Sequence, residues 1–409
     1  MSIKRDYLGG IGDLITPLFG VEFKLMFRLS RGRFEVLMQD VMAGNFEMFK
    51  STEQDGESKA SLEARLLLPL KTLAYGVPPH TFIDYFQMSQ QFARDLCKAF
   101  DNLIIALYLK DFLRLPTAAD LKKTVQLHHS VHKVNGIVGS LDCTHTYWKN
   151  CPKAWQGSFK GKEDKPSIVL EAVADYNLFF WHASYGYTGN LNDITILSLS
   201  PLLDRMTDGS FHALEEEAGV LVPFDIGEEQ FHKVFMLVDG IYPSYSRFVR
   251  GMKQPVHRHE RLFTQWQESA RKDVERAFGV LKGTWQFLER PVLLHNLEEI
   301  SNRVQCCLIL HNILVTDRVM DGPNYTYRMQ YDPAAGSFLQ PSAQVQQLLL
   351  NAIPTTAGEQ RSQVGVAAMN PRLAQAIAKA DRFKELDNKE ENLRLHQALM
   401  QYLQEILPY

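Results

Sequence analysis

Apolar positions fall into distinct regimes along the chain. From about Ser61 to Phe112 they repeat at helical spacing: "SLEARLLLPLKTLAYG" ends at Gly76, "PPHTFIDYF" opens on prolines suited to a first turn, and "MSQQFARDLCKAFDNLIIALYL" starts behind Ser89 as N-cap. Three successive helices with short joints allow a helix-turn-helix arrangement. The alternative is a small helical bundle packed on the next domain, since the third helix is not rich in Arg or Lys. From about Asn135 to Leu294 the pattern turns to strands. "GIVGSLDCTH" is a short strand; "PSIVLEAVA" and "LFFWHASYG" are two more, joined by a hairpin-type turn at Asp175, Tyr176 and Asn177. "LNDITILSLSPLLDRM" returns to helical spacing, and "VFMLVDG" is an uninterrupted apolar run, as expected of a strand buried on both faces. Hairpin, helix, buried strand and helix predict a mixed α/β fold with helices covering a sheet.

The other segments complete the layout. An acidic stretch between Asp208 and Lys233 reads as an irregular surface insertion. After a helix at about Leu297 to Arg318, the Gly-, Pro-, Ser- and Gln-containing segment 321–371 reads as a linker with one short helix. The tail is an amphipathic helix that either docks back on the core or mediates dimerisation. The expected organisation is an N-terminal arm with a short helix (1–57), a helical, helix-turn-helix-like domain (58–132), an α/β domain (133–320) with an insertion at about 207–233, the linker, and a C-terminal helix (372–409).

Composition narrows the function. The 409 residues carry a formal charge of −3, which excludes the blanket positive charge of a histone-like DNA binder. Nucleic-acid contacts would have to come from local patches or a partner. Cys97, Cys143, Cys151, Cys306 and Cys307 are odd in number and lack metal-ligand spacing, so they read as reduced thiols. No apolar run reaches a membrane span, and no signal-peptide core follows "MSIKRDYLGG", so a soluble intracellular protein with no membrane contact is expected.

Candidate chemistry lies at the predicted strand ends. Strand alternation puts Val138, Ser140, Asp142 and Thr144 on one face of the first strand. Asp239 ends the buried strand and precedes Gly240, which suits a sharp turn or a close approach. Asp239 therefore reads either as an Asp-Gly turn residue or as a functional carboxylate converging with Asp142. Two strand-end carboxylates plus one from a following helix can hold two Mg²⁺ ions about 3.5 to 4 Å apart around a phosphodiester. In "RKDVERAFGVLK", Ala270, Val274, Ala277, Phe278 and Leu281 form a buried stripe at about 100° per residue, and Glu275 and Asp273 fall on opposite flanks of it. Geometry does not rank those two acids.

The stretches "GSLDCTHTYWKNCPKAWQGSFKGK", "SIVLEAVADYNLFFWHASYGYTGNLNDI", "VDGIYPSYSRFV" and "ARKDVERAFGVLK" together resemble the plant-type branch of the PIF/Harbinger transposases, the family that also includes Harbinger-derived nucleases. The resemblance covers about Leu62 to Arg290 and implies an RNase H-like catalytic domain. Its motif G-S-[IL]-D-C-x-H puts the first catalytic and metal-binding acid on Asp142. The motif [AV]-D-G-I-Y-P puts the second on Asp239, and R-K-D-V-E-R-A-F-G-V-L puts the third on Glu275. The departures are "LVDGIYP" where "LADGIYP" is usual and variation in "CTHTYW". Further implications are two Mg²⁺ or Mn²⁺ ions, action on terminal inverted repeats and target DNA, a Myb/SANT-like partner protein, a homo-oligomer on DNA, and a nuclear site of action. The implied activity is DDE transposase or endonuclease. A domesticated nuclease without strand transfer, or a non-catalytic DNA- or chromatin-binding module, stands as the alternative.

Accessory bases frame this reading. Lys149, Lys153, Lys160, Lys162 and Lys165, interleaved with Trp148, Trp155 and Phe159, form either a phosphate-contacting loop or a solvated one. Arg247, Arg250, Lys253, His257, Arg258 and Arg261 form a second basic stretch, and Arg271 and Lys282 flank Glu275 as a surface for the DNA backbone. His145 is expected to make a structural hydrogen bond, and Asp193 in "NLNDITIL" matches the family's N-D-[IV] motif but reads by default as an N-cap.

Overall fold

Short polar side chains start most of the N-terminal helices in a computed structural model of the chain, which describes residues 17–44, 46–50, 60–161, 164–220, 224–320, 331–332, 337–338, 383–384 and 386–407. Helix α1 (Pro17–Phe27) leads into α2 (Arg31–Ala43), capped by Ser30. Ser61 caps α3 (Leu62–Tyr75), the single-turn α4 (Ile83–Phe86) follows, and Ser89 caps α5 (Gln90–Phe112). A reciprocal cap between Thr117 and Asp120 starts α6 (Ala118–His132). Gly76 closes α3 at φ +61°, and a Cβ there would meet the Gln286 carbonyl oxygen at 2.5 Å.

The N-terminal segment differs from the expected arm with a short helix. Its described part holds two helices, whose Phe23, Phe27, Phe34, Leu37 and Val41 share one core with α3 and α5. Burying each such side chain is worth about 1.5–3 kcal/mol, which an arm in water would forgo. Arg33 also pairs with Asp317 of α12 (Leu297–Met320), its Nε 2.8 Å from Oδ2. Helix α5, the third of the sequence pattern, packs on α12, where buried Asp101 and Arg303 meet at 2.9 Å.

The sheet has the order β3-β2-β1-β6-β7. Strands β1 (Ile137–Tyr147), β2 (Ser167–Ala174) and β3 (Phe180–Thr188) are antiparallel neighbours, with a one-turn helix α7 (Gln156–Phe159) in the β1–β2 connection. Helices α8 (Asp193–Leu199), α9 (Pro201–Asp208) and α10 (Ser210–Glu217) and a hairpin of β4 (Phe224–Ile226) and β5 (Glu229–Phe231) follow. Then β6 (Phe235–Val238) and β7 (Phe248–Arg250) add in parallel beyond β1. Helix α11 (Arg258–Thr284) lies across β1, and α13 (Lys389–Ile406) packs on α11 and the β6–β7 edge. A helical N-terminal region thus precedes a mixed sheet with flanking helices.

Two local departures have physical causes. Strict alternation put Val138 on the face of Asp142, but Gly139 sits at φ +141° where the β1–β6 register shifts, and Val138 instead shares a core cluster with Leu141. A Cβ at Gly139 would meet the Ala174 carbonyl oxygen at 2.7 Å, so the bulge requires glycine. The insertion is not an irregular excursion: Glu215 of α10 is fully buried, accepts two bonds from Arg247 at 2.5 and 2.6 Å, and accepts the Val234 amide. Of the two roles open to the tail, α13 docks on the core, with Asn392 Nδ2 donating to the carbonyls of Tyr245 and Phe248. The expected linker helix falls outside the described residues, as do 372–382 of the tail.

Candidate functional site

Parallel pairing sets side by side the strands that lead to two carboxylates. Ser140 of β1 lies opposite Leu237 of β6, and each strand leads to an aspartate two residues further on, Asp142 within β1 and Asp239 just beyond β6. Asp239 lies just past the end of β6, exposed, in a turn closed by the Tyr242 amide on its carbonyl oxygen at 3.1 Å. Gly240 next to it has open space around it and no positive φ, so neither close approach nor strain explains that glycine.

Helix α11 brings the third acid. It runs alongside β1: Ser140 Oγ reaches the Ala270 carbonyl at 3.5 Å, and Lys282 Nζ donates to Thr144 Oγ1 at 2.8 Å and to the His145 carbonyl at 3.1 Å. Its buried stripe of Ala270, Val274, Ala277, Phe278 and Leu281 faces inward, leaving Glu275 off the core. Between the acids stands Arg271, 3.5 Å from Asp142 Oδ2 and 2.9 Å from Glu275 Oε1. Burial pushes the Asp142 carboxyl up to about 6; the Cys143 amide and Arg271 pull it down, while Asp193 and Glu275 push it further up. Asp193 is therefore electrostatically part of this site. The helix cap is Asn192, whose Oδ1 accepts the Thr195 amide at 2.8 Å, and Asp193 is the first residue inside α8. The "NLNDITIL" match pointed to it, and the capping reading obscured it.

The predicted bases divide by engagement. Lys149, Lys153 and Lys253 are exposed; Arg258 is exposed but also engaged within the chain, and Lys160 is exposed and lies 3.0 Å from Asp164. Arg250 instead holds the loop after Asp239, donating to the Tyr242 carbonyl at 3.0 Å and to Ser244 Oγ. Arg271 and Lys282 are likewise engaged within the fold, and burial lowers the Lys282 ammonium. Arg247 is buried against Glu215, which removes it from the basic surface. Lys162 lies outside the described residues. Trp148 and Phe159 are core side chains and only Trp155 of the three aromatics is exposed. His145 Nδ1 is 3.0 Å from Ser167 Oγ, a structural hydrogen bond.

A second cluster escaped the sequence reading. His128, His132 and Asp273 bring one ligand atom each within 4.8 Å of one another on the other flank of α11, a grouping that can coordinate a metal ion. His132 Nε2 is 3.4 Å from Asp273 Oδ2, and Arg276 pairs with Asp273 Oδ1. The two imidazoles stack with centroids 5.5 Å apart. Burial lowers His128 to about 3, so its ring is neutral. The visible half of the signal was the i, i+4 spacing of His128 and His132; Asp273 is distant in sequence.

Comparison with known proteins adds a family. A family profile described as plant transposon protein matches residues 110–321. The chain is similar to a protein named ALP1-like from Arabidopsis thaliana, 21% identical over 336 residues that span 78% of this chain and 76% of that protein. It is also similar to Antagonist of like heterochromatin protein 1 from the same plant, 20% identical over 214 residues; the match spans 50% of either chain. No solved structure matches.

Proposed function

We propose, from the premise that this chain belongs to the plant transposon protein family, that it is a DDE-type transposase or transposase-derived endonuclease of the PIF/Harbinger kind. The observation that supports the reading is the link from Asp142 to Glu275 through Arg271, together with the parallel pairing of β1 with β6, the strand that leads into Asp239. The order of hairpin, helices, parallel strand and covering helix supports an RNase H-like domain.

The donor set fits hard divalent cations, since all three ligands are carboxylates and Arg271 already marks the position as one that favours positive charge. Asp142 and Asp239 would share the ions and Glu275 would complete the set. When bound, two Mg²⁺ or Mn²⁺ ions would activate water or a 3′-hydroxyl for in-line attack and stabilise the leaving oxyanion. The chain's own part is to hold these carboxylates on rigid elements. Lys282 ties α11 to β1, and Arg250 fixes the loop after Asp239. Exposed Lys149, Lys153, Lys160, Lys253 and Arg258 would contact DNA phosphates at the terminal repeats and target. With a formal charge of −3, this chain would rely on a Myb/SANT-like partner for DNA recognition and nuclear entry, and would act as a homo-oligomer on DNA.

The test is cleavage of labelled terminal-repeat DNA with Mg²⁺, Mn²⁺ or chelator. Asp142→Asn, Asp239→Asn and Glu275→Gln should each slow metal-dependent cutting by ~10²-fold or more. Full-rate cutting by any of the three variants would sink the assignment. A second reading, a chromatin-binding protein without catalysis, draws on the name of the heterochromatin-related relative; it predicts binding with no cutting. Joining of the exposed 3′-hydroxyl to a second duplex separates transposase from plain nuclease.

A further inference from the structure

The His128 side chain has no place in the site just described, yet its burial is complete. It is 0% exposed, and among the described residues neither ring nitrogen has a hydrogen-bond partner. A buried imidazole with both nitrogens unmet is costly unless something supplies the missing interaction. The nearest polar groups are arranged for such a role. His132 stands one turn along α6, its ring 24° from parallel with that of His128, and Asp273 approaches from α11.

The His132–Asp273 spacing suits a pair of metal ligands at least as well as a direct hydrogen bond, and the three ligand atoms all lie within 4.8 Å of one another. Ligands at about 2.0–2.1 Å from a tetrahedral ion stand about 3.3 Å apart. His132 Nε2 and Asp273 Oδ2 are 3.4 Å apart, at the long limit for a hydrogen bond. Arg276 takes only Oδ1 of Asp273, and so leaves Oδ2 for an ion while orienting the carboxylate from outside. The His132 side chain is 13% exposed, which gives solvent a route in. Two imidazoles and one carboxylate select a borderline first-row ion; they do not suit Mg²⁺, which takes oxygen ligands.

We infer that His128, His132 and Asp273 form a second metal site, for a divalent transition ion of the zinc type, separate from the carboxylate triad. The ion joins α6, which leads into β1 and Asp142, to α11, which carries Arg271 and Glu275. It is a clamp on the two elements that set the triad, with three protein ligands and a fourth position for water. Its existence does not depend on the triad being catalytic.

The experiment uses the full chain, stripped with chelator and titrated with Co²⁺, then with Zn²⁺ as competitor. One equivalent of Co²⁺ should give the visible absorption of a tetrahedral site, and Zn²⁺ should displace it. His128→Phe, which keeps an aromatic ring in the stack, and Asp273→Asn, which keeps the side-chain shape, should each weaken binding at least tenfold with the circular dichroism unchanged. Asp142→Asn and Glu275→Gln should leave the absorption intact. Absence of a saturable cobalt signal overturns the inference, as does a signal that survives Asp273→Asn or vanishes with Asp142→Asn. If His128→Phe fails to fold, Asp273→Asn decides.

Discussion

Asp273 and Glu275 sit two residues apart on α11 and about 200° apart around it, and the two flanks are chemically unlike. Asp273 is 1% exposed among imidazoles and aromatic rings, whereas the Glu275 side chain is 44% exposed beside an arginine and a second acid. The exposed flank gathers hard oxygen donors where a substrate can reach them. The buried flank gathers nitrogen donors between elements that must not move. On the proposed function the same helix divides into a reacting face and a structural face, and substitutions on the two faces should fail differently.

The largest contrast should come from that pair. In metal-free buffer Asp273→Ala removes the partner of His132 and Arg276, and we expect a loss of about 1–3 kcal/mol in denaturant unfolding. Glu275→Gln disturbs one partly exposed ion pair and should change stability by about 0.5 kcal/mol or less while abolishing metal-dependent cutting. Equal destabilisation by both would erase the division between the flanks.

How far this division could be read in the sequence depends on range. Local signals were sufficient for α3, α5, the β2–β3 hairpin and the buried run of β6, because caps, turn residues and apolar periodicity act within a few residues. They were sufficient too for the flank position of Glu275, which needs only helical geometry. The roles of Asp142, Asp239 and Glu275 came from motif resemblance, since a turn aspartate and a site aspartate look alike in isolation. What local pattern could not supply was pairing across distance. Glu215 reads in sequence as one acid in an acidic insertion and Arg247 as a DNA contact, because their pairing at 2.5 Å spans 32 residues of chain. His128 and His132 were visible as a spaced pair, but Asp273 joins them only when α6 and α11 pack. The bulge at Gly139 shifts Val138 off the face that alternation assigned it, because the register belongs to two strands.

A smaller effect probes the buried flank through pH. Asp175, in the β2–β3 turn, is 5% exposed and is pushed up to about 7 by burial, although the Phe179 and Asn177 amides donate to it; Asp273 raises it further and Arg318 lowers it. Its ordinary value is 3.8, so between about 4 and 7 the folded chain holds a proton that the unfolded chain has lost. Stability from this group therefore falls as pH rises through that window and is level above it. Asp175→Asn should flatten the slope between pH 4 and 7. Above pH 7 it should stabilise the fold by about 1 kcal/mol, because lost charge-assisted hydrogen bonds offset most of the relieved burial cost. An unchanged slope in urea unfolding across that range would remove Asp175 from the titrating groups.

The smallest effects separate the predicted bases on the exposed flank. Lys149 and Lys153 are exposed, whereas Lys282 Nζ is already bonded to Thr144 Oγ1 and the His145 carbonyl. A lysine that neutralises a phosphate releases a counterion, so its removal reduces the slope of log affinity against log salt by about 1. Lys149→Ala and Lys153→Ala should each do so with the partner-loaded chain on duplex DNA. Lys282→Met should leave that slope unchanged and lower stability instead, by about 1 kcal/mol, because its bonds are to β1. A salt slope that drops with Lys282→Met would mean that this ammonium leaves Thr144 for the phosphate when DNA binds, and the line between engaged and available bases would then have to be drawn in the complex.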